Sequence, residues 1–164
     1  MTVRPIREIG DPVLRTPAEP VRAFDRELAA IVRDLEDTVE VPGRAGVAGP
    51  QIGVGIRAFS YNVDDRIGHM VNPAVVERSE ETQNGDEGCL SVPGIWVPTS
   101  RALRCVVEGF DVHGEPLRLE GEGLLARALQ HEVDHLDGKL FLDRLTGEAR
   151  KQAMRALRER TLQA

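Results

Sequence analysis

The sequence predicts an α+β fold with mostly antiparallel sheets, an N-terminal helix, a central helix and a C-terminal helix. Three observations carry that expectation. A helical period of apolar residues stands near the start of the chain, alternating segments fill the middle, and two helical periods close it. The connections between the alternating segments are too short for parallel crossovers, so the strands should pair antiparallel.

The first helix is "FDRELAAIVRDLEDTVEV". Asp25 is its expected N-cap, because a short acidic side chain accepts from unbonded N–H groups of the first turn. Leu28, Ile31, Val32, Leu35 and Val39 form one apolar face, and Pro42 and Gly43 end the helix. "GRAGVAGPQIGVG" follows and is too glycine-rich for a regular element. "IRAFSYNV", "HMVNPAVVE", "ALRCVVEGFDV" and "PLRLEG" read as strands, with turns at "VNP" and "HGE". Leu103, Cys105 and Val107 share one strand face, which makes Cys105 a small core residue. "DEGCLSVPG" reads as a loop around Cys89. "GLLARALQHEVDHL" has helical spacing with Leu124, Leu125, Ala128 and Leu129 inward, and "TGEARKQAMRALRERTLQ" is a last helix capped by Thr146. No repeat or low-complexity linker interrupts the chain, so residues 1–164 are expected to form a single domain.

Composition narrows the function classes. Hydrophobic residues make up 41% and charged residues 29%, a soluble globular profile. No apolar run reaches the roughly 18 residues a membrane span needs. "MTVRPIREIGDPVLRTP" lacks an apolar secretory region, which points to the cytoplasm. A net charge of −6 argues against DNA or any broad nucleic-acid partner. The tail "EARKQAMRALRER" holds five of the 21 basic residues and is either a solvated helix face or a local docking patch.

"QHEVDHLDGK" carries the chemistry. On a helix His131 and His135 project within about 40° of each other and can share a metal ion. Glu132 and Asp134 flank that pair on opposite sides, so angle alone does not choose between them. The match to His-Glu-x-x-His selects Glu132 as general base. A catalytic ion needs three protein ligands and one open position. Cys89 is a candidate ligand or reactive residue, since a loop can aim a thiolate at a helix. A third histidine in the spacing His-x-x-Gly-x-x-His fails at Phe141, whereas Glu148 or Glu159 on the last helix remains open as a peptidase-type third ligand. A closed structural site would need a fourth protein ligand.

Three segments, "GVAGPQIGV", "EGCLS" and "QHEVDHLDG", resemble in order and spacing the motifs of the peptide deformylases. "IGDPVLRTPAEPV" and "DGKLFLDRL" are similar to that family too, so the likeness covers nearly the whole chain. The second and third motifs match in full. The first departs: Arg44 stands where the family has glycine and Gly49 where it has alanine.

The resemblance implies a fold built around a central metal-binding helix. It implies Cys89, His131 and His135 as ligands of one divalent ion, with Fe2+ expected natively and Zn2+, Ni2+ or Co2+ able to fill the site. Water would take the fourth place, where its pKa drops from 15.7 toward about 7. Glu132 would shuttle the proton, and the Gln51 amide and the Leu90 backbone N–H would stabilise the oxyanion. The implied reaction removes the formyl group from the N-terminal formyl-methionine of new polypeptides and releases formate. The peptide would lie extended along the Gly46 backbone, with Leu124, Ala128 and the Arg127 stem near the methionine pocket. Glu87 and Arg101 would pair behind Cys89. For the C-terminal helix the resemblance leaves two readings: a solvated face, favoured because acidic residues interrupt the basic patch, and a docking element for the ribosome, as in some members of the family. The competing expectations are a peptidase using Glu159 and a diverged, non-catalytic metal-binding relative.

Overall fold

A computed structural model describes residues 2–163. The first helix, α1, runs Arg26–Val39, and the Asp25 side chain accepts from Leu28 N at 3.0 Å. Leu28, Val32, Leu35 and Val39 are buried, while Ile31 is half-buried at the edge of that face. Seven strands follow among the described residues: β1 Gly46–Ala48, β2 Ala58–Val63, β3 Arg66–Arg78, β4 Thr82–Cys89, β5 Val92–Ala102, β6 Arg104–Phe110 and β7 Pro116–Glu122. The second helix, α2, spans Leu124–Leu136 and the last, α3, Gly147–Gln163.

The strands form a five-stranded sheet in the order β1-β2-β3-β6-β7 and a separate β4-β5 pair, with antiparallel neighbours throughout. Strand alternation splits the sheet's two faces. Ala58 and Val71 pack against Leu28, Val32, Leu35 and Val39 of α1. Their neighbours Phe59 and Met70 pack against Ala126, Leu129, Val133 and Leu136 of α2. A third cluster joins Val92, Ile95 and Val97 of the hairpin to Leu140, Phe141, Leu142 and Ala153. Helix α2 therefore lies between the sheet and the hairpin, and every residue from Ala126 to Leu136 is buried. Burial of this kind releases roughly 1.5–3 kcal/mol per large apolar side chain, before entropy is counted against it.

Four local expectations are corrected. The glycine-rich stretch after α1 holds β1 and a 3-10 turn at Gly49–Ile52. "VNP" is a bulge inside β3: the register shifts between Val71 and Ala74, and Asn72 adopts φ 50°. Asparagine tolerates that left-handed backbone, and its side chain exchanges hydrogen bonds with Val21 N and O at 2.8 and 2.9 Å. Cys89 is the last residue of a strand, not part of a long loop. The β4–β5 pairing around it escaped notice because "TQNGDEGC" is polar and largely exposed, with little β-branched character. Leu124 is 57% exposed rather than inward. The turn at "HGE" is present, with Gly114 at φ 82° and the Asp111 side chain accepting from His113 N and Glu115 N.

Candidate active site

His131 and His135 stand one turn apart on α2, and the β4–β5 hairpin brings Cys89 to meet them. Cys89 Sγ lies 3.3 Å from His135 Nε2, and that nitrogen lies 3.2 Å from His131 Nε2. The three donor atoms all fall within 4.8 Å of one another, and the three residues are buried. A tetrahedral ion with bonds of about 2.0–2.3 Å holds its ligand atoms roughly 3.3–3.6 Å apart. The donor set therefore fits a divalent cation in both chemistry and spacing.

The imidazole orientations support that fit. His131 Nδ1 lies 2.7 Å from Glu87 Oε2, which leaves Nε2 for the ion, and a carboxylate behind a ligating histidine makes it more basic. Burial disfavours charge on His131, but Cys89, Glu132 and Glu87 outweigh it and hold its pKa well above the usual value. His135 is shifted the other way: burial, with the charges of His131 and Arg101, keeps it neutral.

The two acids of the helix part company. Glu132 is buried, its Oε1 has no hydrogen-bond partner, and it faces the cleft. Burial pushes its carboxyl up to about 7, against the pull of His131. A carboxyl near neutrality suits a group that must both take and give a proton. Asp134 points away. Its carboxylate takes Arg101 Nη1 at 2.7 Å and Arg144 Nη2 at 2.7 Å. Burial works against its charge, but the Arg144 and Arg101 hydrogen bonds prevail and lower its pKa.

A buried ionic network backs the histidines. Arg101 grips Glu87 in a fork, Nε to Oε1 at 3.0 Å and Nη2 to Oε2 at 2.6 Å. Arg127 Nη1 adds a bond to Glu87 Oε1 at 2.8 Å and another to Thr99 O at 2.9 Å. The expected Glu87–Arg101 pair is thus present. Arg127 as a partner of Glu87 and Arg144 as a partner of Asp134 were not anticipated, although Arg127 stands four residues before His131 on the same helical stripe.

Gln51 is buried beside the sulfur. Its Oε1 accepts from Ala48 N at 2.9 Å, and its Nε2 donates to Ser91 Oγ at 3.1 Å and approaches Cys89 Sγ at 3.7 Å. Leu90 lines the cleft from the turn after β4. Gly46 lies against Glu132 so closely that an added Cβ would come within 2.7 Å of Glu132 Cδ, so a side chain there would push the carboxyl aside. Gly49 is held likewise, since a Cβ would meet Val54 O at 2.7 Å and Ile56 O at 2.8 Å. That contact explains glycine in place of alanine.

The cleft encloses about 420 Å3 and is lined by Arg44, Gly46, Gln51, Leu90, Trp96, Leu124, Arg127 and Ala128 as well as Cys89, His131 and Glu132. Trp96, which the sequence reading passed over, is 64% exposed there. Its signal was the alternation of β5, where Ile95, Val97 and Thr99 are buried and Trp96 and Pro98 face out. Cys105 is buried elsewhere in the core, as expected, and burial raises its thiol pKa. Glu148 and Glu159 lie exposed on α3 and do not join the cluster, which removes the support for the peptidase expectation.

An HExxH helix with a cysteine sulfur beside it, set in an open cleft, defines a metal-dependent hydrolase. The family model described as polypeptide deformylase matches residues 3–151. The peptide deformylase of Acidothermus cellulolyticus is 59% identical over 159 residues, 97% of this chain and 88% of that one. That of a Parafrankia species is 52% identical over 160 residues, 97% and 87% of the two chains. Among solved structures, the Thermus thermophilus peptide deformylase superposes with a TM-score of 0.90 at 40% identity, covering 98% of this chain and 96% of that one. The Legionella pneumophila enzyme gives 0.88 at 38% identity, with 99% and 98% covered. This chain belongs to the peptide deformylase family.

Proposed function

We propose that the chain removes the formyl group from N-terminal formyl-methionine of new polypeptides, with Cys89, His131 and His135 holding one divalent cation. One observation carries the assignment: three buried donors converge beside a carboxyl that has no hydrogen-bond partner, in a cleft open to substrate. A bound ion supplies a Lewis acid and lowers the pKa of water. Glu132 takes the proton of the attacking water and later delivers it to the leaving amine. The formyl C–N bond breaks, a C–O bond forms, and formate leaves a free N-terminus. Gln51 Nε2 and the Leu90 backbone N–H donate to the oxygen that gains charge. Gly46, at the edge of the sheet, pairs with the extended peptide backbone. Leu124 and Ala128 offer the methionine an apolar wall.

Fe2+ is the proposed native ion, and Zn2+, Ni2+ or Co2+ suits the same one-sulfur, two-nitrogen set. The cytoplasm is the proposed compartment, where nascent formylated chains are the partners. No helix among the described residues is long and apolar enough to cross a membrane. Arg150, Lys151, Arg155 and Arg158 are exposed on α3, which is the feature that supports ribosome docking. Anaerobic purification, metal analysis and formate release from a formyl-Met peptide test the core assignment together. One ion per chain and formate release are expected. A metal-loaded chain that leaves the formyl group untouched overturns it.

A further inference from the structure

Arg44 occupies a glycine position of the family pattern and lines the cleft. Apart from Glu132, it and Asp86 are the charged lining residues without an ion-pair partner among the described residues. Asp86 is exposed on the hairpin wall, whereas Arg44 is half-buried on the opposite wall, two residues before Gly46. Its Nη1 donates to Thr38 O at 2.9 Å, in the last turn of α1. That end of a helix carries partial negative charge, and no basic residue of α1 itself stands there. The anchor holds the guanidinium in place and leaves the rest of its five-donor fork free to take a carboxylate.

The sheet supplies the direction. Strand β1 is an edge strand paired on one side only, with β2. A peptide added antiparallel along its free edge would run from Glu132 past Gly46 and outward past Arg44. Two residues of chain span at most roughly 7 Å, and Arg44 lines the same cleft as Gly46, so it is within reach of a residue just beyond the methionine. We propose that Arg44 is a specificity-determining residue that favours formylated chains with Asp or Glu at the second or third position. The proposal rests on the deformylase reading of the same cleft.

The test uses the full, metal-loaded chain and amide-capped tripeptides: formyl-Met-Glu-Ala and formyl-Met-Ala-Glu, each with Gln and Lys counterparts. Trp96 is the only tryptophan and lies in the cleft, so its fluorescence reads binding without turnover. Formate release gives kcat/KM in parallel. At low salt, Glu is expected to exceed Gln by about fivefold at one of the two positions, the upper end for a partly exposed pair. The preference fades at about 1 M salt, falls to a ratio near one in Arg44→Gln, and partly returns in Arg44→Lys. A Glu/Gln ratio near one in the native chain overturns the proposal. So does a variant that weakens all the peptides equally, because that marks Arg44 as only a cap for α1. Charge-selective binding without formate release would sink the deformylase reading and leave Arg44 standing. Formate release without charge selection does the reverse.

Discussion

The reactivity proposed for Glu132 rests on three features of its surroundings. The helix places it beside His131, burial holds its pKa near neutrality, and Gly46 leaves room for its carboxyl. Glu132→Gln is expected to keep the metal and lose formate release by at least about 10²–10⁴-fold, the usual worth of a positioned acid–base group. Metal analysis beside the formate assay checks this, and full activity would strip Glu132 of its role. Cys89→Ala should lose both metal and activity. Gln51→Ala removes the proposed oxyanion donor, and its expected cost is about 2.7–4 kcal/mol of barrier, read as kcat at unchanged metal content. Gly49→Ala, which restores the family residue, presses a methyl group onto two backbone oxygens. It should destabilise the fold by roughly 1–3 kcal/mol in urea unfolding, the cost of overpacking.

At the scale of elements, α2 and the β4–β5 hairpin are joined by charge as well as by apolar contact. Glu87 and Arg101 come from the two hairpin strands, and Asp134 and Arg127 from the helix. Each buried charge is met by an opposite one, so removing a single member leaves its partner stranded. Arg101→Leu is expected to cost about 3–5 kcal/mol of stability by chemical denaturation. Restoration of wild-type stability by a volume-matched apolar swap of Glu87, Asp134 and Arg127 as well would agree with this, because it removes the buried charges that would otherwise be stranded. Both helices that face the sheet were legible from their periods, because an apolar stripe is a local property of the chain. β4 was not legible. Its partner β5 supplies the buried side chains, and pairing hides a polar strand from any reading by composition.

Across the whole molecule, a bound ion would tie the hairpin to α2 through residues far apart in sequence: Cys89 and His135 are separated by 46 positions. An ion that binds only the folded chain stabilises it by mass action, by about 2.7 kcal/mol at a free concentration of 100 Kd. Chelation should therefore lower the melting temperature, and re-addition of Fe2+ or Zn2+ should restore it. Cys89→Ala should show neither change. The same shift in the variant would mean that the ion sits elsewhere. The first motif shows how far likeness reaches on this scale: it located the cleft wall, while the reason for Gly49 lay in carbonyls contributed by the turn that follows.

By itself the sequence determined the family, the α+β class and the set of residues able to bind an ion and move a proton. These depend on helical spacing and on short motifs, which are properties of neighbouring positions. Only the tertiary structure decided that Glu132 faces the cleft while Asp134 turns to Arg101 and Arg144, that Arg127 belongs to Glu87, and that Arg44 is held by the end of α1. Those choices follow from ion pairs and packing between distant segments, where the cost of a buried unpaired charge outweighs any local preference.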